Sequence, residues 1–270
     1  MLIKKWNFIT SLSILLCISF NPFSAHATPK ILAVTEDYPP NAIVLGDGEF
    51  DGFLIELTNL IFEQAQLDKQ IIIIPWARAY KTAITTPNTL IFGMRKTKKR
   101  EKQFKWAGPV FKNSQDPWSN KKDFKIEFLA LKENQYDVKT LNDLKQYNVS
   151  SIRNDALTEM LLDKYHWPKK QVLQAADWEQ SIQLMLHGRA DFVAGYQGYF
   201  ELYLQNNSNS NKLKSIYEIP IPNKDYALHY AFNFQTNDSI VQKFITARDL
   251  VMSDGRYDKL LNKWQNELAL

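Results

Sequence analysis

"DGFLIELTNLIFEQAQLDKQIIIIPWARAYKTAIT", Asp51 to Thr85, holds two hydrophobic periods side by side. In its first half Leu54, Leu57, Ile61 and Ala65 recur at spacings of three and four, which gives a helix one apolar face. In its second half the four consecutive isoleucines Ile71 to Ile74 suit a strand covered on both faces, as in a parallel sheet. The amphipathic stretch "WARAYKTAIT" follows at once. Helix, buried strand and helix in succession predict an α/β architecture.

The same alternation extends in both directions. "ILAVT" (Ile31 to Thr35) reads as a strand, and after "WAGPVF" a polar stretch, "KNSQDPWSNKKDFK" (Lys112 to Lys125), has no period and reads as a crossover or irregular insertion. A second α/β unit follows. Strands are expected at "FLAL", "NVSSI" and "DFVAGY", with helices over "VKTLNDLKQY", from about Asp155 to Tyr165, and over "DWEQSIQLML". Gly188 is placed to stop the last of these. "QNNSNSNK" (Gln205 to Lys212) reads as a flexible loop by composition. The closing "NDSIVQKFITARDLVMSDGRYDKLLNKW" predicts two helices divided by a turn at Asp254 and Gly255.

Residues 1–27 read as a cleaved secretory signal: Lys4 and Lys5, then the apolar run "WNFITSLSILLCISF", then "AHA" ending near Ala27. That run is shorter than the roughly 18 to 20 apolar residues that span a bilayer. The only cysteine, Cys17, falls inside it, so disulfides and thiolate chemistry are not expected of the mature chain. A periplasmic location is expected. Loss of the two leader lysines takes the formal charge of +4 to about +2, too little for a nucleic-acid binder relying on bulk electrostatics. No metal-ligand spacing, phosphate loop or nucleophile elbow is present, and no cofactor or metal is expected.

One stretch concentrates positive charge. "FGMRKTKKREKQFKWAGP" (Phe92 to Pro109) sets seven basic residues against one acid. Its lysines fit a solvated face around a helix start. Its arginines fit a solvated face or a binding site, since a guanidinium can pair bidentately with a carboxylate and stays charged at any relevant pH.

The order and spacing of "EDYPP", "GEFDGFLIELTNLI", "TKKREKQFKWAGPVF", "GRADFVAGY" and "SDGRYDKLLNKW" resemble the family-3 periplasmic solute-binding proteins of amino-acid ABC importers, over roughly Ile31 to Trp264. The resemblance implies a type II fold of two α/β lobes joined by a hinge, with the ligand cleft between them. The expected division is residues 28–113 for the first part of lobe 1, 114–219 for lobe 2 and 220–270 for the C-terminal part of lobe 1. It also implies site residues. Arg100 stands at the arginine of a Thr-x-x-Arg motif that holds a ligand carboxylate, with Thr97 as its threonine. Gly93 stands where backbone approaches ligand, and Arg95 two residues before Thr97. Tyr38 and Trp76 are aligned as cleft aromatics, Trp76 being equally readable as core, and Arg78 points to cleft or solvent.

In the second lobe Arg153, Asn154 and Asp155 replace a small-residue turn at a helix start. Asp155 reads either as part of an anion site or as an N-cap. Tyr196 stands where amino-acid binders carry the acid that pairs with the ligand ammonium, so Arg95, Arg100 and Arg153 would converge on an anionic solute. The implied function is capture of a small polar, carboxylate-bearing solute by a monomer that delivers it to an inner-membrane ABC permease. The alternatives are a periplasmic dehydratase of the same fold, of the kind acting on cyclohexadienyl acids, and a ligand-sensing module without transport. His166, His187 and His229 are scattered and show no catalytic pairing.

Overall fold

The computed structural model describes residues 29–112, 124–206, 208–221 and 227–267. The expected leader, with Cys17, and residues 113–123 of the expected insertion lie outside these. Two five-stranded sheets carry the chain. The first has the order β4 (Lys69–Ile73), β1 (Ile31–Thr35), β5 (Thr89–Arg95), β12 (Leu228–Asn233), β6 (Phe104–Pro109). The second has the order β11 (Leu213–Ile221), β7 (Phe124–Leu131), β10 (Phe192–Tyr196), β8 (Val149–Ile152), β9 (Val172–Ala175). A small hairpin, β2 (Ile43–Gly46) and β3 (Glu49–Asp51), stands apart from both.

The chain leaves the first sheet after β6 and returns at β12, which enters antiparallel between β5 and β6. Two α/β lobes result, and the C-terminal helices belong with the first. Helix α1 (Phe53–Ala65) buries Leu54, Leu57, Ile61 and Ala65, the face expected from the spacing. It packs on α7 (Asp238–Ser253) and α8 (Arg256–Glu267) in a core that includes Phe244, Val251, Tyr257 and Trp264. The turn at Asp254 and Gly255 separates those two helices as expected.

The isoleucine run behaves as expected on both faces and differs at its rim. Ile71 and Ile73 pack against one core and Ile72 and Ile74 against another. All four are nevertheless half-buried, because β4 is the edge strand of its sheet. Other expected elements differ in form. The helix expected over 138–147 is the single turn α3 (Leu141–Leu144), started by a Thr140–Asp143 capping box. The one expected from Asp155 is α4 (Ala156–Glu159), which widens into a π-helical turn at Met160–Lys164. Ser208–Lys212, within the expected flexible loop, forms a 3₁₀ turn.

Gly52 explains how one loop reaches the cleft. Its φ is +132°, and a Cβ there would lie 2.5 Å from the Asn41 carbonyl oxygen, so glycine lets the loop 38–42 rest on the start of α1. The first amides of that helix use the loop as their cap: Phe53 N–H donates to Pro40 O at 3.0 Å and Leu54 N–H to Asn41 O at 2.8 Å. Tyr38 and Asn41 are thereby held where the two sheets face each other.

Candidate functional site

A small cavity lies between the lobes. From the first lobe it is lined by Glu36, Tyr38, Asn41, Gly93 and Arg95, and from the second by Trp178 and Tyr196. Its volume of about 10 Å³ is roughly the room of one water, so the lobes are drawn together over it. Strands deliver most of these groups. Glu36 follows the last residue of β1, Gly93 lies two residues before the end of β5, Arg95 ends it, and Tyr196 ends β10. Clefts of open α/β sheets form beyond the carboxyl ends of their strands. Trp178 opens α5 (Trp178–Leu186), which is capped by Asp177.

Aromatic rings wall the cavity. The Arg95 guanidinium lies over the Tyr196 ring, 3.5 Å from its centre. Tyr38 stacks on Tyr199 of α6 (Gln197–Asn206) at 6.0 Å and 6°, and Tyr199 stacks on Trp178 at 4.7 Å. Tyr196 is buried, with its hydroxyl 3.4 Å from Asp155 Oδ1, and burial pushes its phenol well up.

Glu36, Asn41, Trp178 and Tyr199 were not expected from sequence. For Glu36 a signal existed, an acid directly after a parallel strand. Its Oε2 is buried with no hydrogen-bond partner among the described residues. Burial first, and then the negative charge of Asp155, raise its carboxyl well above the usual range, against the pull of Arg95. A raised value means the folded protein holds a proton that the unfolded chain gives up. Stability therefore falls as pH climbs from the ordinary glutamate range toward the raised value. Glu36→Gln should remove that pH-dependent loss, read as melting temperatures across a pH series. A wild-type melting temperature that climbs over that window would overturn the assignment.

The expected site residues divide. Tyr38, Gly93, Arg95 and Tyr196 line the cavity. Arg78 is exposed and points to solvent, and Arg153 is exposed with Nη2 donating to Gln174 O at 3.3 Å. The expected convergence of three arginines is absent. Asp155 is the N-cap of α4, accepting from Leu157 N–H at 2.8 Å, the second of its two readings, and its own carboxylate occupies the helix start. Trp76, which opens α2 (Trp76–Thr85), is 2% exposed.

Arg100 also departs from its expected role. It is fully buried, and all three guanidinium nitrogens are engaged within the protein: Nε donates to Glu159 Oε1 at 3.2 Å, Nη1 to Arg95 O at 3.0 Å and Nη2 to Asn154 O at 2.6 Å. Thr97 Oγ1 donates to the other Glu159 oxygen, Oε2, at 2.8 Å. Asn154 O accepts a further bond from Trp76 Nε1 at 3.0 Å. Asn154 has φ +60°, a left-handed conformation that asparagine tolerates. Thr97, Arg100 and Trp76 thus bind the second lobe itself. The lysines of the basic stretch stay at the surface, Lys96, Lys98, Lys99 and Lys102 exposed and Lys105 paired with Asp238 at 2.5 Å.

Residues 31–267 match the bacterial extracellular solute-binding proteins, family 3. The chain belongs to that family. Among solved structures this solute-binding protein is similar to the arginine-, lysine-, histidine-binding protein ArtJ of Geobacillus stearothermophilus, at 19% identity and TM-score 0.68 over 87% of this chain and 95% of that one. A Salmonella typhimurium periplasmic binding protein with high arginine specificity is similar at 19% identity and TM-score 0.67, over 87% and 98%. A histidine kinase sensor domain with similarity to periplasmic binding proteins follows at 16% and 0.65, over 87% and 94%. These likenesses establish the two-lobed type II fold. No curated protein matches in sequence. No helix among the described residues is long and apolar enough to cross a membrane, and no group of three or more metal-binding side chains gathers among them.

Proposed function

We propose that this family-3 protein captures a small polar solute between its lobes in the periplasm and hands it to an inner-membrane ABC permease. The observation that carries the reading is the inter-lobe cavity that joins the Arg95 guanidinium, the Glu36 carboxyl and the Asn41 amide to walls of tyrosine and tryptophan. A few placed polar groups in an aromatic cleft are what a small-molecule site needs. The lobes would part to admit solute and close on it. An anionic group of the solute, such as a carboxylate, belongs at Arg95, which lines the cavity. A cationic or donor group belongs at Glu36. The arginine-binding neighbours support this pairing as an analogy of fold.

A thermal melt of refolded, ligand-stripped protein against amino acids, amines, di- and tricarboxylates and aromatic acids tests the proposal. A solute at about 100 times its dissociation constant adds roughly 2.7 kcal/mol, or about 5–11 °C for this size. Arg95→Gln should then weaken that solute by about 1.5–3 kcal/mol, the worth of a charge-assisted bond. A full shift retained in Arg95→Gln would remove the cavity from consideration. No shift with any solute would count against small-molecule capture.

A further inference from the structure

Thr97 and Arg100 form a finished carboxylate receptor on the first lobe, and the carboxylate in it belongs to the second. Each Glu159 oxygen has its own donor, Oε1 from Arg100 Nε and Oε2 from Thr97 Oγ1. The Arg100 side chain is 0% exposed and that of Glu159 10%. The guanidinium is further fixed by two backbone carbonyls and lies 5.6 Å from the centre of the Trp76 ring and 5.1 Å from that of Tyr80. The planar guanidinium and the hydroxyl together suit a carboxylate, one donor to each oxygen.

We propose that Glu159 is a tethered carboxylate that sets the solute class of this protein. It fills the Thr97–Arg100 receptor from within the chain, bars solute carboxylates from it, and draws the lobes together without a solute anion at that point. Its placement follows from the local backbone. Asp155 caps α4 through Leu157 N–H, Glu159 ends that single turn, and the helix widens to a π turn from Met160. The consequence for specificity rests on the cleft being a solute site; the identity of the receptor does not.

Formate supplies the missing group without any knowledge of the solute. Glu159→Ala leaves a buried guanidinium and hydroxyl facing a space of carboxylate size. Sodium formate, compared with sodium chloride at equal ionic strength, should raise the melting temperature of Glu159→Ala by roughly 3 to 6 °C at about ten times its dissociation constant. It should leave the wild type and the double variant Arg100→Met/Glu159→Ala unmoved. If Glu159→Ala does not fold in chloride, recovery of folded protein on refolding in formate is the equivalent result. Equal response in wild type and variant, response retained in the double variant, or no response and no recovery in formate would each overturn the proposal. Because no solute is used, these outcomes are independent of whether the melt panel finds a ligand.

Discussion

Arg100→Ala lowers stability by about 3–5 kcal/mol, the expected cost of breaking a buried ion pair from one side. At this chain length that is a fall of roughly 6 to 20 °C in melting temperature. The loss arises because the Glu159 carboxylate keeps only the Thr97 hydroxyl, and the carbonyls of Arg95 and Asn154 lose their guanidinium donors. The family resemblance alone would make the same variant a binding defect on an intact fold. The two accounts separate cleanly. A double variant, Arg100→Met/Glu159→Met, should recover most of the loss, since replacing both members of a buried pair with apolar side chains of similar volume is far milder than orphaning one. An Arg100→Ala protein that melts with the wild type would refute the inter-lobe role.

Trp76→Ala should cost about 3–5 kcal/mol, the usual range for emptying a buried tryptophan site. Trp76 sits between the lobes, with its ring 6.1 Å from that of Tyr80 and its indole N–H on Asn154 O. Trp76→Phe separates the two contributions. It keeps most of the filled volume and loses the donor, at about 1 kcal/mol, while Asn154 O still receives Arg100 Nη2. Melting of the three proteins side by side checks the prediction. Equal losses for alanine and phenylalanine would mean that the hydrogen bond, not the packing, carries the contact.

The α/β class was legible because local period and tertiary placement agree. Helices α1 and α2 and strand β1 run over the stretches predicted for them, where one apolar face or one short apolar run meets one core. The antiparallel entry of β12 between β5 and β6 was not legible from period, since it depends on a pairing across more than a hundred residues. The candidate site was half legible. Tyr38, Gly93, Arg95 and Tyr196 lie at or near strand ends that the motifs located. Arg153 was expected to converge with Arg95 and Arg78 was left between cleft and solvent, and only the approach of the lobes decides which guanidinium is enclosed. Glu36 and Glu159 were missed for the same reason. An acid after a strand or at a helix end is ordinarily solvated, and both are enclosed here because the other lobe covers them.

Titration calorimetry of the best solute from the melt panel, into wild type and Arg95→Gln, tests the central claim most directly. Capture in the inter-lobe cavity predicts one site per chain in the wild type and a roughly 10- to 150-fold weaker constant in the variant. Equal affinity in the two proteins would contradict it.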